Sequence, residues 1–200
     1  IGTEIDSVAL VDWTSAGSDT FFTETDLTLI SSETYYVRVK ATDNVNNEGN
    51  VAVSDGIMVD LIIPLVGELY DGIDGEDQDW QSSDSTLSLY WSGSDSRELN
   101  YYQYSVGTSP GDSNTVSWTS VSTNTSVTLE NVELLEEQTY YGNVRAVDRA
   151  GNVSDMVSSD GISIDYTPPA IGTVYDGLYE DIVYTGTADS LTAHCSGFND

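Results

Sequence analysis

Residues 139–146 read Thr-Tyr-Tyr-Gly-Asn-Val-Arg-Ala, and residues 34–41 read Thr-Tyr-Tyr-Val-Arg-Val-Lys-Ala. In one copy Tyr140, Gly142, Val144 and Ala146 occupy alternate positions, and in the other Tyr35, Val37, Val39 and Ala41 do. Period-two alternation sends one set into a core and turns the other (Tyr141, Asn143 and Arg145, or Tyr36, Arg38 and Lys40) toward water. Leu87, Leu89 and Trp91 alternate with Ser88 and Tyr90 in the same way. The two copies stand 105 residues apart, and that interval also separates Trp13-Thr14-Ser15 from Trp118-Thr119-Ser120 and Asp55-Gly56-Ile57 from Asp160-Gly161-Ile162. A unit of that length exceeds the ~20–50 residues of a solenoid repeat and suits a β-sandwich of ~100 residues. Turn signals such as Asp71-Gly72 and Ala150-Gly151-Asn152 punctuate the strands. Residues 130–138 form the only helix-like window, and their first copy, residues 25–33, is Thr/Ser-rich, which argues for strand and turn. The expected fold is all-β.

Charge narrows the partners. With 34 acidic residues against 5 basic ones, the net charge is −29. Such a surface repels nucleic acid and anionic membranes, since phosphate binding relies on Lys and Arg. It also strains a compact fold by self-repulsion unless salt or cations screen it. No stretch approaches the ~20 apolar residues of a membrane span, and no basic segment followed by an apolar run suggests a signal peptide. The single Cys195 has no internal disulfide partner.

The run Leu87-Ser88-Leu89-Tyr90-Trp91, followed by Thr139 to Ala146, resembles the B-strand Trp and F-strand Tyr of fibronectin type III modules. The resemblance implies a tyrosine corner at Tyr35 and Tyr140, with Trp91 as the third core anchor. The wider pattern, from Trp91-Ser92-Gly93 through Asp148-Arg149-Ala150-Gly151-Asn152 to the Pro168-Pro169 pair, is similar to tandem repeats of this kind in large bacterial surface and secreted proteins. It implies tandem Ig-like modules of about 105 residues. Boundaries at the prolines give residues 64–168 as a complete module, residues 1–63 as the end of strand C through strand G of one before it, and residues 169–200 as strands A and B of one after it. Neither flank closes a sandwich alone. Two arrangements complete them: continuation of a longer array, or strands A and B of one subunit completing the remnant of the next, a form of β-augmentation.

Candidate sites are sparse. Asp71, Asp74, Glu76, Asp77 and Asp79 crowd one loop, and Asp165 lies just before the next linker. Hard oxygen ligands in a loop suit Ca²⁺, although Asp-Gly pairs also simply make turns. Asn124-Thr125-Ser126 and Asn152-Val153-Ser154 fit the glycosylation tripeptide. Outward tyrosines (Tyr36, Tyr101, Tyr141) suggest either a carbohydrate-binding face or cross-strand support. His194 and Cys195 are adjacent in a strand and so face opposite ways, which argues against a catalytic pair. The expected function is a non-enzymatic segment or subunit of an extracellular filament or stalk on the cell surface, whose partners are neighbouring modules or copies of itself. The alternatives are an adhesive or carbohydrate-binding module and an accessory region of a secreted hydrolase.

Overall fold

The computed structural model describes residues 1–3, 10–72, 75–94 and 98–199. Its strands, in chain order, begin with four short ones: β1 (Thr34–Tyr35), β2 (Arg38–Val39), β3 (Ala52–Val53) and β4 (Ile57–Met58). The central set is β5 (Leu65–Asp71), β6 (Trp80–Gln81), β7 (Thr86–Ser94), β8 (Leu99–Gly107), β9 (Val116–Ser120), β10 (Ser126–Glu130), β11 (Thr139–Asp148), β12 (Val157–Ser158) and β13 (Ile162–Ile164). A last pair, β14 (Thr173–Asp176) and β15 (Ala193–Ser196), follows. No helix occurs among the described residues.

Strands β5 to β13 close a sandwich. One sheet has the order β10-β7-β5 and the other β6-β13-β11-β8-β9, with β12 also paired to β11. With β12 and β13 taken as two halves of one strand beside β11 and the two-residue β6 set aside, this is the three-against-four division, β7 and β11 central, of an Ig-like module of the fibronectin type III kind. Leu87, Leu89 and Trp91 face Val106, Val144 and Ala146 across the interior, all at most 1% exposed. Burying each of the larger aliphatic side chains contributes about 1.5–3 kcal/mol. Trp91 meets Tyr102 edge to face at 5.7 Å.

Two features depart from simple alternation. Asn143, expected to face water, is fully buried. Its side chain accepts from the Gly111 amide (2.7 Å) and the Ser158 hydroxyl (2.6 Å) and donates to the Asp112 carbonyl (2.8 Å). The outer face of β11 is thus covered there by the turn after β8. The strand β6 pairs in parallel with β13, so the chain crosses from one sheet to the other between β5 and β7. Residues 130–138 form no helix: Asn131 and Glu137 take positive φ of 59° and 60°, which no α-helical turn accommodates.

The first 63 residues repeat the central pairings one for one. Thr34↔Met58 and Tyr35↔Ile57 match Thr139↔Ser163 and Tyr140↔Ile162. Arg38↔Val53 and Val39↔Ala52 match Asn143↔Ser158 and Val144↔Val157. Gly2↔Tyr36 matches Gly107↔Tyr141. Local register is therefore carried by the repeated sequence itself.

Candidate functional site

The repeated motifs resolve into three pieces of hardware. The first is the tyrosine corner. The Leu135 amide donates to the Tyr140 hydroxyl at 3.0 Å, and the Ile30 amide to the Tyr35 hydroxyl at 2.9 Å. Both tyrosines are buried, and each ties the connection before it to the strand it begins. The second is a cation over an indole: Arg145 sits 4.3 Å from the Trp118 ring and Lys40 4.9 Å from the Trp13 ring. Two of the chain's five basic residues are held in this way, at equivalent positions of the repeat.

The third lies at Asp160-Gly161 and its copy. Gly161 (φ 103°) and Gly56 (φ 94°) adopt backbone angles that suit glycine. A Cβ at Gly161 would fall 2.6 Å from the Tyr141 ring, and one at Gly56 would fall 2.7 Å from the Tyr36 ring. These tyrosines therefore lie across bare backbone, in a cross-strand role. The Gly161 amide donates at 2.9 Å to Asp71 Oδ2, which reaches over from β5. Asp71 is fully buried and its Oδ1 meets no donor at hydrogen-bond geometry. Burial pushes its carboxyl from the ordinary 3.8 up to about 6; the Ser159 hydroxyl and the Gly161 amide pull down, and the Asp160 and Asp77 carboxylates push further up.

At the start of the sandwich, Asn152 reaches back along the chain. Its Nδ2 faces the carbonyls of Asp60 (3.1 Å) and Ile62 (3.3 Å) and the Asp148 carboxylate (2.7 Å). The turn between β11 and β12 thus clamps the segment leading into β5, next to Pro64, whose ring restricts the backbone. Asn47 makes the same local turn: its amide donates to Asp43 Oδ1 at 2.8 Å and its Nδ2 to Oδ2 at 2.8 Å. Those bonds, the backbone one first, hold the Asp43 carboxyl below its ordinary value.

The other candidates are dispersed. Asp71 is spent on the Gly161 amide, and Asp77 Oδ1 accepts from the Asp71 amide at 3.3 Å. Glu76 and Asp79 are exposed. Asp165 accepts from the Thr167 amide beyond the far end of β13, four residues from Gly161, or roughly 13 Å of extended strand. Asp74 lies outside the described residues. Among those described, no three metal-ligating side chains converge. Asn124 is exposed in the turn between β9 and β10, whereas the Asn152 amide nitrogen is occupied at the junction. His194 stacks on Tyr175 at 4.9 Å, and Cys195 pairs with Val174 on the opposite face.

Neither the Asn152 clamp nor the Asp71 staple is marked by a local sequence pattern. Each joins residues about 90 positions apart, and only the recurrence of Asp148/Asp43 and Asp71/Asp176 at the repeat interval marks them.

No protein-family model and no curated protein sequence matches the chain. Among solved structures, the FN1–FN3 domains of chicken CNTN1 are similar at 19% identity with a TM-score of 0.42, over 68% of this chain and 42% of that one. The fold assignment therefore stands on strand order and register.

Outside the closed sandwich, two apolar faces are open. Ile57, at the place of Ile162, is 68% exposed against 1%, and Val174, at the place of Leu69, is 63% exposed against 7%. Val174, Ala193, Cys195 and Phe198, with His194, line a hollow of about 450 Å³ along β14 and β15.

Proposed function

We propose that this chain is a structural segment of an extracellular, cell-surface filament or stalk, built as a head-to-tail array of Ig-like modules. The observation that carries this reading is the junction. Asn152 holds the linker carbonyls of Asp60 and Ile62, and Asn47 and Asp43 present the same turn one repeat earlier. A turn repeated at module spacing, which holds the linker at the junction present here, is suited to setting one angle between successive sandwiches, as a stiff array needs. The acidic surface supports the reading, because like charges along a fibre keep neighbouring fibres apart. The hardware at each repeated motif is structural: the buried tyrosines, the glycine–tyrosine contacts and the indole-stacked cations all hold strands together.

The test is electron microscopy of native material, labelled with an antibody raised against residues 64–168. Label spaced along thin filaments is expected. Label confined to compact single particles would overturn the proposal.

A further inference from the structure

One edge of the closed sandwich lacks the charge that guards the others. Four strands end its two sheets: β5 and β10 in one, β6 and β9 in the other. An open edge offers unpaired backbone donors and acceptors to any strand that approaches, and proteins commonly blunt such edges with charge. Glu68 lies within β5, Asp79 directly precedes the two residues of β6, and Glu130 ends β10. Strand β9 (Val116–Ser120) has no such guard. No Asp, Glu, Lys or Arg occurs between Asp112 and Glu130, in a chain where 20% of residues are charged.

The first copy is guarded at the same place. At the repeat interval Asp12 stands where Ser117 is, and Asp19 where Asn124 is. One position lies on the edge and the other in the turn that follows it, and both are neutral in the closed module. The strip is also uncovered: Ser117, Thr119, Ser120 and Asn124 are exposed, and among the described residues no strand pairs with the outer side of β9. The Ser117 carbonyl accepts from the Thr119 hydroxyl at 2.9 Å, a local bond rather than a ladder one. The irregularity in pairing with β8 lies toward Val116, so Thr119 and Ser120 keep regular register.

Charge decides what fits there. A cationic partner would be drawn to the acidic edges instead of this one. A second copy, by contrast, is repelled by most of a surface of net charge −29. Along this strip two copies meet without opposed carboxylates. Antiparallel pairing of β9 with itself gives both rows of backbone groups partners and sets Ser and Thr side chains against one another, a favourable cross-strand pairing.

We infer that β9 of one chain pairs antiparallel with β9 of a second copy, joining two β6-to-β9 sheets into one. The contact is isologous and closes at two copies, and it is β-augmentation in kind. The edge is short, roughly 17 Å at about 3.3 Å per residue, so the pairing is weak and reversible. Because Asp12 guards the same edge one repeat earlier, two chains touch at this module and stay apart along the first. The inference needs only the closed sandwich and stands independently of the array reading.

Hydrogen exchange of the 200-residue chain, followed by mass spectrometry over a wide range of protein concentration, tests this. Exchange in residues 116–120 is expected to slow by about threefold or more as concentration rises. Ser117→Asp places the first copy's residue at an exposed position, so the melting temperature is kept. It sets like charges across the pair and weakens pairing by about tenfold or more, which removes the slowing. Ser117→Asn, which adds no charge, is expected to retain it. Exchange in residues 116–120 that is the same at every concentration overturns the inference, as does slowing that Ser117→Asp leaves intact. Association through another surface leaves exchange in β9 unaltered and counts as the first of these contradictions.

Discussion

Asp71 is the residue whose chemistry departs furthest from the ordinary. Its folded pKa of about 6 lies above the ordinary 3.8, so the folded state holds its proton more tightly than the unfolded chain. Stability from this group is therefore full below about pH 4 and falls as pH rises toward 6. Asp71→Asn keeps an acceptor for the Gly161 amide and removes the charge. Urea unfolding of this variant is expected to show no loss of stability at pH 7 and a shallower fall between pH 4 and 6 than the parent. Asp71→Ala, which strands that amide, is expected to cost about 1–3 kcal/mol at pH 7. At the tyrosine corner, Tyr140→Phe removes the acceptor of the Leu135 amide. A loss of about 1–2 kcal/mol is expected, with the urea dependence unchanged.

At the scale of elements, β7 was legible from the alternation of Leu87, Leu89 and Trp91, and β11 from an alternation that recurs at the repeat interval. Leu87, Leu89, Trp91, Tyr140 and Val144 are buried as that pattern requires. Asn143 was not legible. Its place on the outer face of β11 is right, but the turn after β8 covers that face, and alternation carries no information about what lies above a sheet. Asn143→Ala would leave the Gly111 amide and the Asp112 carbonyl without their side-chain partner; thermal unfolding should show a loss of about 2–4 kcal/mol. The crossing strand β6 escaped for a related reason, since two residues are too few to display a period. Residues 130–138 show the opposite case. Their composition tolerates a helix, and the left-handed Asn131 and Glu137 forbid one. Asp26 (φ 59°) and Ser32 (φ 71°) hold the same angles in the first copy, so the Thr/Ser-rich copy read more truly.

For the whole molecule, the deciding facts are a repeated register, a clamp at the junction and a net charge of −29. The repeat was visible in the sequence, whereas the clamp needed the fold, because Asn152 acts on carbonyls that no side-chain pattern reports. Asn152→Ala is expected to leave unfolding of the central sandwich within about 1 kcal/mol of the parent. It should broaden the range of angles at the junction, seen as a shorter mean length in small-angle X-ray scattering. Added NaCl, which shortens the screening length from about 10 Å at 0.1 M to about 3 Å at 1 M, is expected to raise the melting temperature by relieving self-repulsion. The most direct measurement for the account is the axial repeat of the native assembly, read from the power spectrum of electron micrographs. A thin filament one sandwich wide is expected, with a period of roughly 35–40 Å, the length of a ten-residue strand at about 3.3 Å per residue plus a short linker. Compact particles, or a filament whose period bears no relation to a sandwich, would contradict it.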